Sequence, residues 1–223
     1  MKEKELELKF QILDKKQLEN FLKNFKFLKK EKIKDVYLDT KDAKLYKKGI
    51  FIRIRDNKKL QIKFNYSDVV NQNKISLHEI CSEYSFNLPL SEKDVKKLNR
   101  ILDILDLKSI SSPSMEELKA KNCLMESIVI EKERKVFTDT KFLIVIDEVK
   151  GLGTFVEIET KIKEGESVGS LKRKMLNLVK DLKVKRITTG YNELWWRKHD
   201  FKVYLQGRYL LEEDYKKFSR NKL

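Results

Sequence analysis

Along several short segments of this chain, charged and apolar side chains alternate one for one. The segment KELELKFQI, residues 4–12, shows it most plainly: Leu6, Leu8 and Phe10 fall on one face, and Glu5, Glu7 and Lys9 on the other. A repeat of two is the period of a β-strand, and an amphipathic helix does not produce it. Ile50–Arg55 and Lys59–Phe64 repeat the pattern around Asp56-Asn57-Lys58, as a hairpin does. There Phe51, Arg53 and Arg55 share one face, opposite Ile50, Ile52 and Ile54. In the return strand Leu60, Ile62 and Phe64 oppose Gln61 and Lys63. Further strands are expected at 33–39, 75–88, 126–137, 141–150, 154–163 and 184–188. A turn at Gly151-Leu152-Gly153 joins the strands at 141–150 and 154–163.

Helical periods fall between these strands. Leu18, Phe21, Leu22 and Phe25 predict a helix over 14–27. Ser91-Glu92-Lys93-Asp94 opens a second helix with a capping box, ahead of Val95, Leu98, Leu102 and Leu105. Pro113-Ser114-Met115 opens a third, and 167–182 carries Val168, Leu171, Met175, Leu178 and Leu182 at helical spacing. The segment after Tyr191 reads as helical. The class is therefore α+β. No Pro- or Gly-rich linker divides the chain, so one domain is expected over 1–196, with 197–223 a helical tail of that domain. The two halves are similar in layout, without a sequence repeat.

The polar faces carry both signs of charge: Glu5, Glu7 and Lys9; Arg53, Arg55 and Lys63; Glu79 and Glu83; Lys132 and Arg134; Asp147; Glu157, Glu159 and Lys161. If the strands close into a barrel with the helices outside, these faces line its interior. Carboxylates suit hard divalent cations, and Lys and Arg suit phosphate oxygens. The net charge of +15 also favours an anionic partner, although most of the 50 basic residues are Lys, and most of those fall on polar helix faces. Position, not total charge, carries the reading. Cys81 and Cys123 make no disulfide framework and read as small core residues of a reduced, cytoplasmic protein. His78 and His199 have no ligand spacing. No apolar run follows the charged start or is long enough to span a bilayer, so neither a secretory signal nor a membrane partner is expected. The zinc-ligand spacings and aromatic strand signatures of nucleic-acid binders are absent, so nucleic acid is not the expected partner.

Taken together, these segments resemble the CYTH, or triphosphate tunnel, family. Glu5-Leu6-Glu7-Leu8-Lys9 resembles its ExExK signature. DVYLDTKDAKLYKKGIFIRIRDNKKLQIKF, residues 35–64, resembles its Tyr-x-Asp-Thr turn, its Arg-x-Arg strand and the strand that follows. IEKERKVF (130–137), LIVIDEVKGLGTFVEIET (143–160) and GYNEL (190–194) resemble later motifs, so the likeness runs over roughly residues 3–195. The resemblance implies a closed eight-stranded antiparallel β-barrel with helices on the outside, and metal-dependent hydrolysis of inorganic or organic triphosphate within it. Its alternatives are an adenylate cyclase and a non-catalytic polyphosphate-binding module. It implies Mg²⁺ or Mn²⁺ on Glu5, Glu7, Glu79, Asp147, Glu157 and Glu159, with Glu83 as a further candidate. Glu5 and Glu7 are the implied catalytic pair, and phosphates fall to Lys9, Arg53, Arg55, Lys63, Lys132, Arg134 and Lys185 or Arg186. The implied partner is a small-molecule triphosphate, and a homodimer is compatible with the resemblance. The chain departs from the family at 76–86, where SLHEICSEYSF lacks the usual Arg, and at Gly190, where Ser is usual.

Overall fold

The computed structural model describes residues 5–66, 69 and 82–215. In chain order the elements are β1 (Glu5–Ile12), α1 (Leu18–Leu22), β2 (Lys26–Asp39), α2 (Lys44–Lys48), β3 (Ile50–Arg55), β4 (Lys59–Phe64), β5 (Ser82–Asn87), α3 (Glu92–Ile104), α4 (Met115–Lys121), β6 (Met125–Thr138), β7 (Leu143–Val149), β8 (Gly153–Lys161), α5 (Val168–Leu178), β9 (Val184–Ile187), α6 (Tyr191–His199) and α7 (Phe201–Tyr204). They belong to two compact units interleaved along the chain. The first takes Met1–Ile33, Glu131–Gly190 and Leu211–Leu223; the second takes Lys34–Ile130 and Tyr191–Leu210.

In the first unit β1 lies between β8 and β9, antiparallel to both, with Glu7 opposite Glu159 and Lys9 opposite Glu157 and Ile187. β7 joins β8 to β6, with Arg134 opposite Asp147. One sheet face is apolar. Leu6, Leu8, Phe10, Ile144, Ile146, Val156 and Ile158 bury there with Leu171 and Met175 of α5. Each such side chain contributes roughly 1.5–3 kcal/mol of hydrophobic stabilisation, which fixes the register: a slip of one residue would put the Glu and Lys residues into this core.

In the second unit β3 lies between β2 and β4, and β4 between β3 and β5, all antiparallel. Ile50, Ile52, Leu60, Ile62, Phe64 and Phe86 pack with Val95, Leu98, Ile101 and Leu102 of α3 and Leu118 of α4. Asp94 accepts from the Ser91 backbone N–H, closing the expected capping box of α3. The five-residue α2 is too short to be stable alone. It is tied by Asp39, whose two carboxylate oxygens accept from the N–H groups of Leu45 and Tyr46, each at 2.9 Å. Burial raises the Asp39 pKa against those bonds.

The expected closed eight-stranded barrel is not formed. The described strands follow the linear order β5-β4-β3-β2-β6-β7-β8-β1-β9, nine in all, with β5 and β9 at the ends. Closure requires the end strands to pair, whereas β5 pairs with β4 and β9 with β1. Alternation specifies which face a side chain occupies, and it is identical in an open and a closed sheet. The helix expected over 14–27 is also shorter. A 3-10 turn (Lys15–Gln17) leads into α1, and β2 starts at Lys26, well before the expected 33. Phe21 and Phe25 still pack on the first unit's core, so their spacing reports burial more than helix length. Cys123, expected in the core, is exposed, in a positive-φ turn just after α4. Among the described residues, no helix is long and apolar enough to cross a membrane.

Candidate functional site

The polar face of the first unit is a chain of ion pairs. Lys9 Nζ lies 3.0 Å from Glu157 Oε1 and 3.3 Å from Glu7 Oε1. Glu157 Oε2 accepts from Arg134 Nη2 at 2.7 Å. Arg134 in turn lies side-on to Asp147, donating through Nε at 2.7 Å and Nη2 at 2.6 Å. Lys132 Nζ donates to the same Asp147 at 2.8 Å. Asp147 is fully buried, and Lys132 and Glu157 nearly so. Removing either sign alone would leave a charge in low dielectric, which is why the two occur interleaved.

The two lysines respond oppositely to this setting. Burial acts to lower both. At Lys9 the Glu157 and Glu7 carboxylates outweigh it, and the pKa is held above its ordinary value. At Lys132 burial, reinforced by the neighbouring Arg134 cation, outweighs Glu157 and Asp147 and brings the pKa down to about 8. Burial opposes ionisation of Glu157, but Lys9 and Arg134 overcome it and keep the carboxyl below its ordinary range.

The second unit presents a different face. Asp35, on β2, accepts from Arg55 side-on, through Nε at 2.7 Å and Nη2 at 2.9 Å. Arg53 Nη1 lies 3.4 Å from Asp35 Oδ2 and 3.4 Å from the Tyr37 hydroxyl oxygen. Arg53 Nε donates to Gln61 at 3.0 Å, and Gln61 donates to Glu83 at 2.6 Å. Burial, more than the opposing Arg53 charge, raises the pKa of Tyr37.

The other expected residues distribute as follows. Lys63 is half-buried and stands opposite Glu83 and Phe51 in register. Glu159 is half-buried opposite Glu7. Glu5 opposes Lys161 at the start of β1. Lys185 pairs with Gln11 and so shares the sheet face of Lys9, and its ammonium lies 2.6 Å from Glu213. Arg186 pairs with Phe10, on the other face. Glu79, His78 and Cys81 lie outside the described residues. His199 is exposed and stacks on Trp195, with ring centroids 4.2 Å apart. Asp35, Tyr37 and Gln61 were not among the expected site residues. The available signal was parity: Asp35 and Tyr37 alternate on β2, so an antiparallel β3 must bring them to the arginine face.

Two expectations are corrected by this geometry. No closed tunnel surrounds these faces, because the sheet order is open. Nor, among the described residues, do three or more His, Cys, Asp or Glu side chains assemble as a group able to hold a metal ion. The carboxylates explain why: Glu157 is engaged by Lys9 and Arg134, and Asp147 by Lys132 and Arg134. As arranged, they do not fit a preformed Mg²⁺ or Mn²⁺ centre, which requires several oxygens free for one ion.

Known proteins bear on these faces. A protein of Methanocaldococcus jannaschii named "putative adenylate cyclase" is 24% identical over 195 residues, covering 85% of this chain and 97% of that protein. The fold resembles a solved Pyrococcus horikoshii protein at a TM-score of 0.54 and 23% identity, covering 87% of this chain and 99% of the other. It also resembles a Hippeastrum protein described as a "putative adenylyl cyclase" with "a dominant triphosphatase activity". There the TM-score is 0.53 at 19% identity, over 92% of this chain and 97% of the other. Residues 3–191, which hold the described ion-paired strands of both units, match the CYTH domain, and the chain belongs to that family of metal-dependent enzymes.

Proposed function

We propose that this chain is a phosphoanhydride hydrolase that acts on a small-molecule triphosphate held by strand-borne cations. The observation that carries the reading is the pairing of strand-borne cations on buried carboxylates, Arg53 and Arg55 on Asp35 and Lys132 and Arg134 on Asp147. Rigid, desolvated guanidinium groups are suited to phosphate oxygens, and stabilising charge on them is most of the catalysis that phosphoryl transfer needs. In the second unit the reading gives Arg53, Arg55 and Lys63 to phosphates; in the first it gives Lys9, Lys132 and Arg134 to phosphates, with Lys185 as a further cation, and Glu7 and Glu5 to the attacking water. Its oxygen bonds to the terminal phosphorus, its proton passes to a glutamate, and the P–O bond to the leaving diphosphate group, pyrophosphate or an organic diphosphate, breaks. In this reading Mg²⁺ or Mn²⁺ arrives as the counter-ion of the triphosphate. The likeness to the Hippeastrum protein supports hydrolysis over cyclisation.

The test is phosphate release from inorganic triphosphate, ATP and thiamine triphosphate, with Mg²⁺ or Mn²⁺. It compares wild type with an R53Q/R55Q variant. Release that the variant loses supports the reading. Cyclic AMP and pyrophosphate from ATP would replace hydrolysis with cyclisation, and no turnover of any substrate would refute catalysis.

A further inference from the structure

Asp35 has a place in the second unit that the sequence motifs did not assign. Its side chain is 2% exposed. Burying a lone carboxylate costs several kcal/mol, and here two arginines on the neighbouring strand offset that cost. Both contacts follow from register. Asp35 stands directly opposite Arg55, and Tyr37 opposite Arg53, so the four side chains form a block of two residues on each strand. The contact with Arg55 is side-on and bidentate, engaging Nε and Nη2. That fixes the plane of the guanidinium and leaves its Nη1 edge without a partner among the described residues. Arg53 is braced from three sides: Asp35 and Tyr37 at Nη1, and Gln61 at Nε. Arg53 and Arg55 remain 19% and 21% exposed, so the arginines can be reached from solvent while their anchor cannot.

We propose that Asp35 is a positioning residue: from the neighbouring strand on the same sheet face it locks Arg53 and Arg55 into one orientation, so that their outer edges present a preformed cradle for neighbouring phosphate groups of a triphosphate. The inference rests on the functional reading above and deepens it. An arginine side chain free in solution loses rotamer entropy when it binds an anion; one already held by a carboxylate has lost it on folding. The Asp35 charge itself repels an anion, so its benefit is geometric, and it must act through the arginines. Because Asp35 is inaccessible and already engaged by both arginines, the proposal gives it no contact with substrate.

The experiment is calorimetric titration of inorganic triphosphate into wild type, D35N, R55Q and the double variant D35N/R55Q, each confirmed as folded at the titration temperature by circular dichroism. D35N should weaken binding about 10-fold, on the order of one charged hydrogen bond. R55Q should weaken it by at least as much, and the double variant should be no weaker than R55Q alone. Additive losses are what a residue supporting only the fold would give. Additivity, or D35N binding as well as wild type, overturns the proposal. Wild type that binds no triphosphate overturns the functional reading itself, and the positioning role with it. A measurement that needs no Asp35 variant guards against D35N failing to fold. The Arg55 Nε–H resonance, assigned by its loss in R55K, should be slow to exchange with water in unliganded wild type. Fast exchange there would show that Arg55 is not held, and would overturn the proposal.

Discussion

The two units build their polar faces by the same rule and bury their carboxylates differently. In the first, Lys9, Lys132 and Arg134 alternate in space with Glu7, Glu157 and Asp147, and Glu157 and Asp147 are each shared by two cations. In the second, Arg53 and Arg55 share the single buried carboxylate of Asp35, and the other acidic partner, Glu83, is 40% exposed at the edge strand β5. The carboxylates shared on the first face, Glu157 and Asp147, are both buried, whereas of the two on the second only Asp35 is. The pairing of a side-on arginine with a buried aspartate recurs in both, Arg134 on Asp147 and Arg55 on Asp35. What differs is whether a further carboxylate reaches the arginine from the side: Glu157 does so at Arg134 Nη2. On the proposed reading, an anion meeting the second face would add to Arg53 and Arg55, whereas one meeting the first would exchange with a carboxylate already there.

The largest effect that would break this contrast is on stability. Asp147→Asn leaves Lys132 and Arg134 without their shared anion, and should cost about 3–5 kcal/mol in urea denaturation. A loss under about 1 kcal/mol would mean that the first face is not a linked network. Next is affinity. Arg55→Gln should weaken inorganic triphosphate roughly 10–100-fold in a calorimetric titration, with Arg134→Gln costing more in stability than in binding. The reverse order would place the ready cations on the first face. A pH effect is smaller. Lys132 has its pKa brought down to about 8 from 10.5. Between those values the unfolded chain binds more protons than the folded one, so this group makes stability rise with pH, by at most about 1.4 kcal/mol per unit. The stability difference between wild type and Lys132→Met, read at pH 7.5 and pH 9.5, should therefore shift in favour of wild type; a constant difference would show an unperturbed lysine. The smallest effect is at Glu83→Gln, which should change stability by less than about 0.5 kcal/mol and tighten triphosphate binding roughly twofold, as expected for a half-exposed acid beside Arg53.

Much of this was legible in the alternation. Leu6, Leu8 and Phe10 are buried, and Ile50, Ile52, Leu60 and Ile62 almost completely so, because one face of each strand meets a helix layer. The hairpin limits at Ile50–Arg55 and Lys59–Phe64 are those expected. Closure was not legible, because it depends on pairing between the first and last strands of the sheet, which leaves no trace in a period of two. Which charges enter the ion-paired faces was legible by residue type but not by partner. Asp35 carries no motif of its own and gains significance only when β3 is laid beside it in register. The sheet face that Lys185 and Arg186 each take likewise turned on whether Gln11 or Phe10 stood opposite.

The long-range pairing of β1 also bears on how the chain is made. Glu5 lies opposite Lys161, so β1 finds its β8 neighbour only after every residue up to Lys161 has been synthesised. At ordinary elongation rates that interval is on the order of 10 s. Throughout it, a segment with Leu6, Leu8 and Phe10 on one side stands without its sheet. The second unit waits too, since Tyr46 donates to the Tyr204 carbonyl oxygen and packs against Gly207, residues translated long after it. Completion of either unit is thus expected to wait for synthesis of these distant partners. The glutamates and lysine that alternate along β1 have an additional use in that interval: they keep a waiting edge from pairing with other nascent chains.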